Sequence, residues 1–247
     1  SQEQLAQELA EASAYVRSLL PAPMKGEISA DWCFHPCSAL GGDSLGYHWI
    51  DDRHLAIYLL DVCGHGVGSA LPSSSAVDVL RSAALENTEF RDPAAVLTGL
   101  NAAFLMDRHD QKFFTIWYGV YDKHERTLTY AIGGHPPGVL VDPKSHAAGE
   151  SSLLATDNLF VGLDPGTVFE SARCEVPPGS RLFVFSDGVY ELPLREGRMM
   201  ALGELVSYLS TFGRRNGQPL EVALDHARSL CDTDALPDDY SLMRISF

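Results

Sequence analysis

The stretch LLDVCGHG at residues 59–66 closes a longer, mostly apolar run, HLAIYLLDVCGHGVGSAL, at residues 54–71. Its first part has the uninterrupted apolar character of a buried strand. Asp61 then places a carboxylate at the end of that strand, and two glycines follow around His65. Aspartate beside glycine is common in turns, but a carboxylate beside a flexible backbone also suits a metal or phosphate site. The stretch therefore predicts a buried strand and leaves these two explanations for Asp61.

The overall composition limits the class of partner. The chain has 247 residues, of which 45% are hydrophobic, and this suits one large domain or two small ones. Its net charge of −15 argues against non-specific binding to nucleic acids or to anionic membranes, which attract basic surfaces. Clustered carboxylates in an acidic chain instead favour the binding of cations.

The cysteines and the hydropathy pattern favour a cytoplasmic location. Five cysteines are an odd number, and none forms a CxxC pair, so we expect reduced thiols. The sequence has no run of about 18 apolar residues and no recognisable signal peptide, so we expect no membrane span. The chain starts at Ser1 rather than at a methionine, and we expect a further N-terminal domain in a longer protein.

The N-terminal segment QEQLAQELAEASAYVRSLL, residues 2–20, contains neither glycine nor proline and predicts a helix. Its apolar side chains are spaced alternately by four and three residues, as in a coiled-coil seam. These seam residues are Leu5, Leu9, Ala12, Val16 and Leu19. The Pro21-Ala22-Pro23 segment ends the helix. We predict that residues 1–22 form a linker helix through which two chains form a homodimer.

The rest of the chain, residues 23–247, is predicted to be one domain of the α+β class. Residues rich in Val, Ile, Tyr, Phe and Thr predict strands at 27–34, 45–50, 54–62, 113–122, 127–132, 138–142, 181–186 and 240–246. Helices are predicted at 68–86, 93–107, 201–213 and 218–231, and residues 143–160 are predicted to form a loop. Short connections between strands and helices in consecutive pairs favour antiparallel sheets covered by helices.

Four segments place an aspartate at the edge of a predicted strand. They are GGD at 41–43, LLDVCGHG at 59–66, LFVFSDG at 182–188 and PDDYSLMRI at 237–245. Each aspartate taken alone is more simply explained as a turn residue. Four such residues at adjacent strand ends would repel one another without cations between them. Oxygen ligands suit Mg²⁺ or Mn²⁺, and a pair of such ions can bind phosphate and activate water, which predicts phosphoester hydrolysis.

The ordered set GGD, DVCGHGVGSAL, GGHPPGVLV, FSDGVYE and DDYSL resembles the SpoIIE/RsbU-like bacterial branch of the metal-dependent serine/threonine phosphatases, the type 2C superfamily. The resemblance covers about residues 15–247. It implies a four-layer α/β/β/α sandwich, with two antiparallel sheets between pairs of helices. It also implies a cofactor of two Mn²⁺ or Mg²⁺ ions.

The resemblance also implies roles for individual residues. Asp61 would bridge both ions, and the carbonyl of Val62 would be a further ligand. Asp187 and Asp238 would bind the first ion, and Asp43 would bind the second directly or through water. Asp239 is the alternative to Asp238 if the alignment is shifted by one residue. Asp61 and Asp187 are the residues that we predict to be catalytic.

Three features depart from the wider superfamily. The eukaryotic branch has a histidine two residues after its bridging aspartate, where this chain has Cys63, and its phosphate-binding arginine has no counterpart that can be aligned. Pro72 falls where the bacterial branch usually has an uninterrupted helix, so this helix must begin late or bend.

His135 in GGHPPG is interpreted as part of a structural turn, and Thr115 is given no functional role.

Two classes of function fit these features. The first is a phosphoprotein phosphatase of a two-component signalling pathway, and the resemblance implies a phosphorylated anti-sigma-factor antagonist as its substrate. The second is a non-catalytic adaptor attached to a response regulator, as in relatives that have lost metal ligands. All the acidic positions are present here, which favours the enzyme. A nucleotide or nucleic-acid hydrolase is disfavoured by the acidic charge and by the ordered motifs.

Overall fold

The computed structural model describes residues 2–108, 111–145, 151–231 and 235–247. Its helices are α1 (Gln2–Ser18), α2 (Val67–Arg81), α3 (Pro93–Ala103), α4 (Leu202–Phe212) and α5 (Glu221–Leu230). Its strands are β1 (Ser29–His35), β2 (Asp43–Trp49), β3 (His54–Val62), β4 (Phe114–Asp122), β5 (Thr127–Gly133), β6 (Gly138–Val141), β7 (Ser152–Leu154), β8 (Ala172–Glu175), β9 (Arg181–Phe185) and β10 (Tyr240–Ser246).

The strands form two antiparallel sheets of five strands each. The first sheet has the order β1-β10-β9-β6-β7, and the second has the order β2-β3-β4-β5-β8. Neighbouring strands pair in an antiparallel manner throughout both sheets. The first sheet joins the two ends of the chain, since β1 pairs with β10.

The two sheets pack face to face, and a pair of helices covers each outer face. Strand β3 has no charged residue between Leu55 and Leu60, because both of its faces are covered there. Leu55, Ile57 and Leu59 pack in the core between the sheets. The alternate residues Tyr58 and Leu60 pack against α2 and α3 in a second core. A third core lies between the first sheet and helices α4 and α5. The predicted four-layer sandwich is therefore confirmed.

Most predicted elements are present with small changes at their ends. The start of α3 follows the predicted pattern, because the Asp92 side chain accepts hydrogen bonds from the backbone N–H groups of Ala94 and Ala95. Helix α2 begins at Val67, one residue before its predicted start, and includes Pro72, so the late start that the sequence allowed does not occur. One prediction was wrong and one strand was missed. Residues 143–160 contain the short strand β7, and β8 was not predicted, because three or four residues carry too weak a pattern.

The N-terminal helix has no buried residue. Leu5 and Tyr15 are 59% and 62% exposed, whereas the segment after the helix is held to the domain. There Trp32 Nε1 donates to the carbonyl of Pro21 at 2.8 Å, and the Tyr47 hydroxyl donates to the carbonyl of Ala22 at 2.7 Å. Within the four described ranges, no helix has the length and the apolar character needed to cross a membrane.

Candidate metal centre

The four predicted aspartates lie at the edge where the two sheets meet. Asp43 is the first residue of β2, and Asp61 is the second-last residue of β3 in the second sheet. Asp187 begins a single 3₁₀ turn just after β9, and Asp238 lies two residues before β10 in the first sheet. Each sheet thus contributes two carboxylates to one site, and their proximity is visible in their mutual electrostatic effects.

Asp43 is the most deeply buried of the four, with 2% of its surface exposed. Its Oδ2 accepts a hydrogen bond of 2.6 Å from the hydroxyl of Ser241. Burial raises its pKa well above the ordinary value, and the nearby charges of Asp61 and Asp239 raise it further. A buried carboxyl group beside two others is stable as a charged group only if a cation compensates it.

Asp61 stands between the carboxylates of the two sheets. It is the direct partner of Asp43 in the register of β2 and β3. Burial is the main cause that raises the pKa of Asp61 to about 7, and the charges of Asp187, Asp238 and Asp239 add to it. This is the position that a ligand shared between two cations requires, because such a ligand must face both groups of carboxylates.

The pKa values of Asp187 and Asp238 are raised as well. Burial raises the pKa of Asp187 to about 6, with further contributions from Asp238 and Glu191. Burial also raises the pKa of Asp238. All four carboxyl groups therefore have raised pKa values, which is the electrostatic signature of an acidic cluster that lacks compensating positive charge.

The structure separates Asp238 from Asp239, which the sequence alone could not do. Asp239 is 4% exposed, and its Oδ1 accepts a 2.9 Å hydrogen bond from the backbone N–H of Cys37. Its Oδ2 accepts a 3.4 Å hydrogen bond from the backbone N–H of Asp43. Asp238 is exposed, and its Oδ1 accepts only a local bond from the next backbone N–H. Asp239 therefore holds the loop before β2, whereas the carboxylate of Asp238 remains exposed.

Two glycines before Asp43 are required by close packing. A Cβ atom on Gly41 would lie 2.0 Å from Asp239 Oδ2, and one on Gly42 would lie 2.3 Å from the carbonyl oxygen of Val62. The Val62 N–H in turn donates to the Gly42 carbonyl at 3.1 Å. The carbonyl of Val62, which we predicted to be a ligand, thus faces the GGD loop. The glycines bring two backbone segments of the site together.

A cleft of about 260 Å³ opens beside Asp61 and Asp187. Its remaining lining residues are Thr115, Gly134, His135, Pro136, Tyr190 and Glu191. Thr115 is the direct partner of Asp61 in the register of β3 and β4, so its side chain lies on the same face of the sheet. Our sequence analysis gave no function to Thr115 or His135, and the structure places both of them in the wall of the cleft.

A larger cavity of about 520 Å³ lies elsewhere, between the segment at Met24 and the β1–β10 edge. Arg181 and Arg244 line it, and Arg244 is already paired with Asp31 at 2.6 Å. None of the four aspartates lines this cavity. The carboxylate cleft is therefore the better candidate for a catalytic site, although it is the smaller of the two.

One family model matches most of this chain. The model described as Stage II sporulation protein E (SpoIIE) matches residues 51–247. The chain belongs to the SpoIIE family. The matched segment contains Asp61, Asp187 and Asp238, whereas Asp43 lies before it.

Two curated proteins are similar in sequence. The phosphoserine phosphatase RsbP of Bacillus subtilis is 27% identical over 178 residues, which are 70% of this chain and 42% of RsbP. Protein IcfG of a Synechocystis species is 26% identical over 219 residues, which are 77% of this chain and 34% of IcfG. The chain thus spans less than half the length of these curated relatives.

Three solved structures have the same fold. The SiaA-PP2C domain of Pseudomonas aeruginosa superposes with a TM-score of 0.84 at 20% identity, over 100% of this chain and 98% of that domain. A Bacillus subtilis SpoIIE structure with its PP2C phosphatase domain gives 0.72 at 15% identity, over 90% and 64% of the two chains. RsbX in complex with magnesium gives 0.66 at 17% identity, over 91% and 98%. These matches confirm the PP2C fold.

Proposed function

We propose that this SpoIIE-family domain is a metal-dependent phosphatase that hydrolyses phosphoserine or phosphothreonine in a bacterial signalling protein. The observation that carries the proposal is the cluster of Asp43, Asp61, Asp187 and Asp238 from both sheets, of which Asp61 and Asp187 line the cleft. The family membership and the similarity to the phosphoserine phosphatase RsbP support it.

The residues present fit two divalent cations. Asp61 would hold both ions and the Val62 carbonyl would be a further ligand, Asp187 and Asp238 would hold the first ion, and Asp43 would hold the second directly or through water. The donors are all oxygen atoms, which Mn²⁺ and Mg²⁺ prefer. When bound, the ions would neutralise phosphate oxygens and lower the pKa of a water molecule.

Because the protein is acidic, a phosphorylated substrate can bind in the cleft only when cations are bound there. The chain has a net charge of −15, and the cleft is lined by Asp61, Asp187 and Glu191. A phosphate group would be repelled from such a cleft unless positive charge were supplied. The carboxylates would thus hold cations, and these cations would supply the positive charge that the side chains of the cleft do not provide.

The substrate class follows from the family resemblance. We propose a phosphorylated anti-sigma-factor antagonist in the cytoplasm, so that dephosphorylation changes transcription. We further propose that residues 1–22 connect the domain to an upstream receiver or sensor and pair with the same helix of a second chain. The exposed side chain of Leu5, the first residue of the seam, supports this pairing, and the greater length of RsbP and IcfG supports a longer protein.

A non-catalytic adaptor is the second candidate. Such a protein would not need to keep its carboxylates, yet all four are present here and lie at one site. Their raised pKa values mean that they repel one another in the absence of cations, a cost that partner binding alone does not explain.

Metal titration of the purified protein tests the two candidates. We expect hydrolysis of an aryl phosphate such as p-nitrophenyl phosphate with Mn²⁺ or Mg²⁺ and none with EDTA. Phosphorylated antagonists from the same genome, with and without Mn²⁺, then identify the protein substrate. Full activity in EDTA would contradict the two-metal site, and binding of an antagonist without hydrolysis at any Mn²⁺ concentration would favour the adaptor.

A further inference from the structure

Thr115, His135 and Phe185 form a chain of hydrogen bonds at the wall of the cleft. The hydroxyl of Thr115 lies 2.8 Å from His135 Nδ1. The other ring nitrogen, Nε2, lies 2.9 Å from the carbonyl oxygen of Phe185 on β9. The chain therefore links the second sheet, which carries Thr115 on β4, to the first sheet.

The chemistry of the three groups fixes the direction of both bonds. A carbonyl oxygen only accepts, so His135 Nε2 must carry a hydrogen and donate it to Phe185. His135 is 8% exposed, and its burial lowers its pKa to about 3, so the ring is neutral at ordinary pH. In a neutral ring the second nitrogen has no hydrogen. Thr115 must therefore donate its hydroxyl proton to Nδ1.

A threonine hydroxyl has one proton and two lone pairs. Because the proton of Thr115 is held by His135, its oxygen can only accept in any further bond. Thr115 and Asp61 are opposite each other on β4 and β3 and line the same cleft. Asp43 lies opposite Asp61 on the other side, so Asp43, Asp61 and Thr115 form one row across three strands.

We propose that Thr115 is a catalytic residue whose oxygen accepts a hydrogen bond from the attacking water, and that His135 is the positioning residue that holds Thr115 in this state. The inference rests on the proposed phosphatase function and extends it. Thr115 takes up no proton. The water oxygen forms the bond to phosphorus, the phosphorus–oxygen bond to the serine breaks, and the proton that the water loses is returned through solvent to the serine oxygen.

The alternative is a structural role for His135, in which its ring only ties the β5–β6 connection to β9. That role requires the Nε2 bond to Phe185 but not the Nδ1 bond to Thr115. Two substitutions separate the roles. In His135→Asn the side-chain amide reaches the position of Nδ1, and in His135→Gln it reaches the position of Nε2. If His135 positions Thr115, His135→Asn should retain more activity than His135→Gln, and a purely structural role predicts the reverse.

The kinetic experiment uses Thr115→Val, Thr115→Ser and the control Thr129→Val, which makes the same change on β5. With p-nitrophenyl phosphate and saturating Mn²⁺, we expect Thr115→Val to lower kcat roughly 10- to 100-fold, the effect of one strong hydrogen bond in the transition state. Its KM and its Mn²⁺ affinity by calorimetry should stay within about threefold of the wild type. Thr115→Ser, which keeps the hydroxyl, and the control should retain kcat.

A second measurement does not depend on activity. In the metal-free wild-type protein, the ¹⁵N chemical shifts of His135 should show a protonated Nε2 and an unprotonated Nδ1. A protonated Nδ1 would overturn the inference, as would a kcat of Thr115→Val equal to that of the wild type, or a loss of Mn²⁺ affinity in that variant. An active wild type with an equally active Thr115→Val refutes only this inference. An inactive wild type refutes the proposed function and this inference with it.

Discussion

Asp43 and Asp61 are direct cross-strand partners on β2 and β3, so that their two carboxyl groups lie opposite each other at the end of these strands. Burial raises the pKa of both groups, and the charge of Asp61 raises the pKa of Asp43 further. Like charges opposite each other destabilise a sheet, so this pair links the stability of the metal-free domain to pH.

The first prediction is that Asp61→Asn stabilises the metal-free protein at alkaline pH. The pKa of Asp61 is 3.8 in the unfolded chain and about 7 in the fold. A raised folded pKa stabilises the protein fully below the unfolded value, and this contribution is lost as the pH rises through about 7. The asparagine side chain is neutral at every pH, so the Asp61→Asn variant does not undergo this loss of stability. Urea unfolding in EDTA between about pH 5 and pH 8 should therefore show a growing advantage of Asp61→Asn over the wild type.

Addition of Mn²⁺ should reverse this order, because the wild type gains the free energy of metal binding. The exposed Asp52, changed to asparagine, is the control for loss of one negative charge. Parallel pH curves for the wild type and Asp61→Asn would contradict the assignment of Asp61 to the acidic cluster.

The second prediction separates Asp238 from Asp239. Asp238→Ala should weaken Mn²⁺ binding and lower kcat, with little change in the free energy of unfolding in EDTA. Asp239→Ala should lower that free energy by roughly 1–3 kcal/mol, because the backbone N–H groups of Cys37 and Asp43 lose their acceptor. Calorimetric Mn²⁺ titration and urea unfolding of both variants provide the test. The opposite pattern would make Asp239 the ligand.

The pattern of apolar residues predicted the long helices and strands of this fold, because these elements are buried along most of their length. Strand β3 is apolar at Leu55 through Leu60 since both of its faces are covered, and its predicted ends, 54 and 62, are those observed. The short strand β8 pairs only with β5 at the edge of its sheet and has no fully buried residue. Its sequence therefore carried no strand signal.

The sequence predicted only those residues of the site that lie in recognisable motifs. The aspartates stand beside glycines, and this combination is visible in sequence. Thr115 carries no such mark, since its role depends on a register that pairs it with Asp61. The choice between Asp238 and Asp239 likewise depends on which carboxylate meets the backbone of Cys37, a contact across 202 residues of sequence.

The third prediction concerns the residues at the centre of the site. Asp61→Asn and Asp187→Asn should each lower kcat for an aryl phosphate by at least roughly 100-fold at saturating Mn²⁺, because each loses charge that holds the cations. Asp52→Asn, which removes a carboxylate from an exposed turn, should keep the wild-type rate. Near-normal rates in both site variants would mean that these aspartates are turn residues rather than metal ligands.

The last prediction concerns helix α1. None of its seam residues is fully buried: Leu5 is exposed and the other four are half-buried. An isolated helix of this length is marginal in water unless it packs on something. We expect the intact chain to self-associate weakly, because two heptads bury little area. A chain that starts near Pro21 should be monomeric by sedimentation. The double substitution Leu5→Glu/Leu9→Glu should also give monomers, since it places charges in the seam.

The control Ala10→Glu/Ala14→Glu adds the same two charges to α1 at exposed positions outside the seam. It should associate like the wild type, so that a loss of association in Leu5→Glu/Leu9→Glu alone identifies the seam as the contact. An upstream domain that brings two seams together would raise their effective concentration and strengthen the pairing. If the phosphatase rate follows association across these variants, the helix transmits a signal to the site. If every variant is monomeric at high protein concentration and equally active, the dimerisation proposal is wrong.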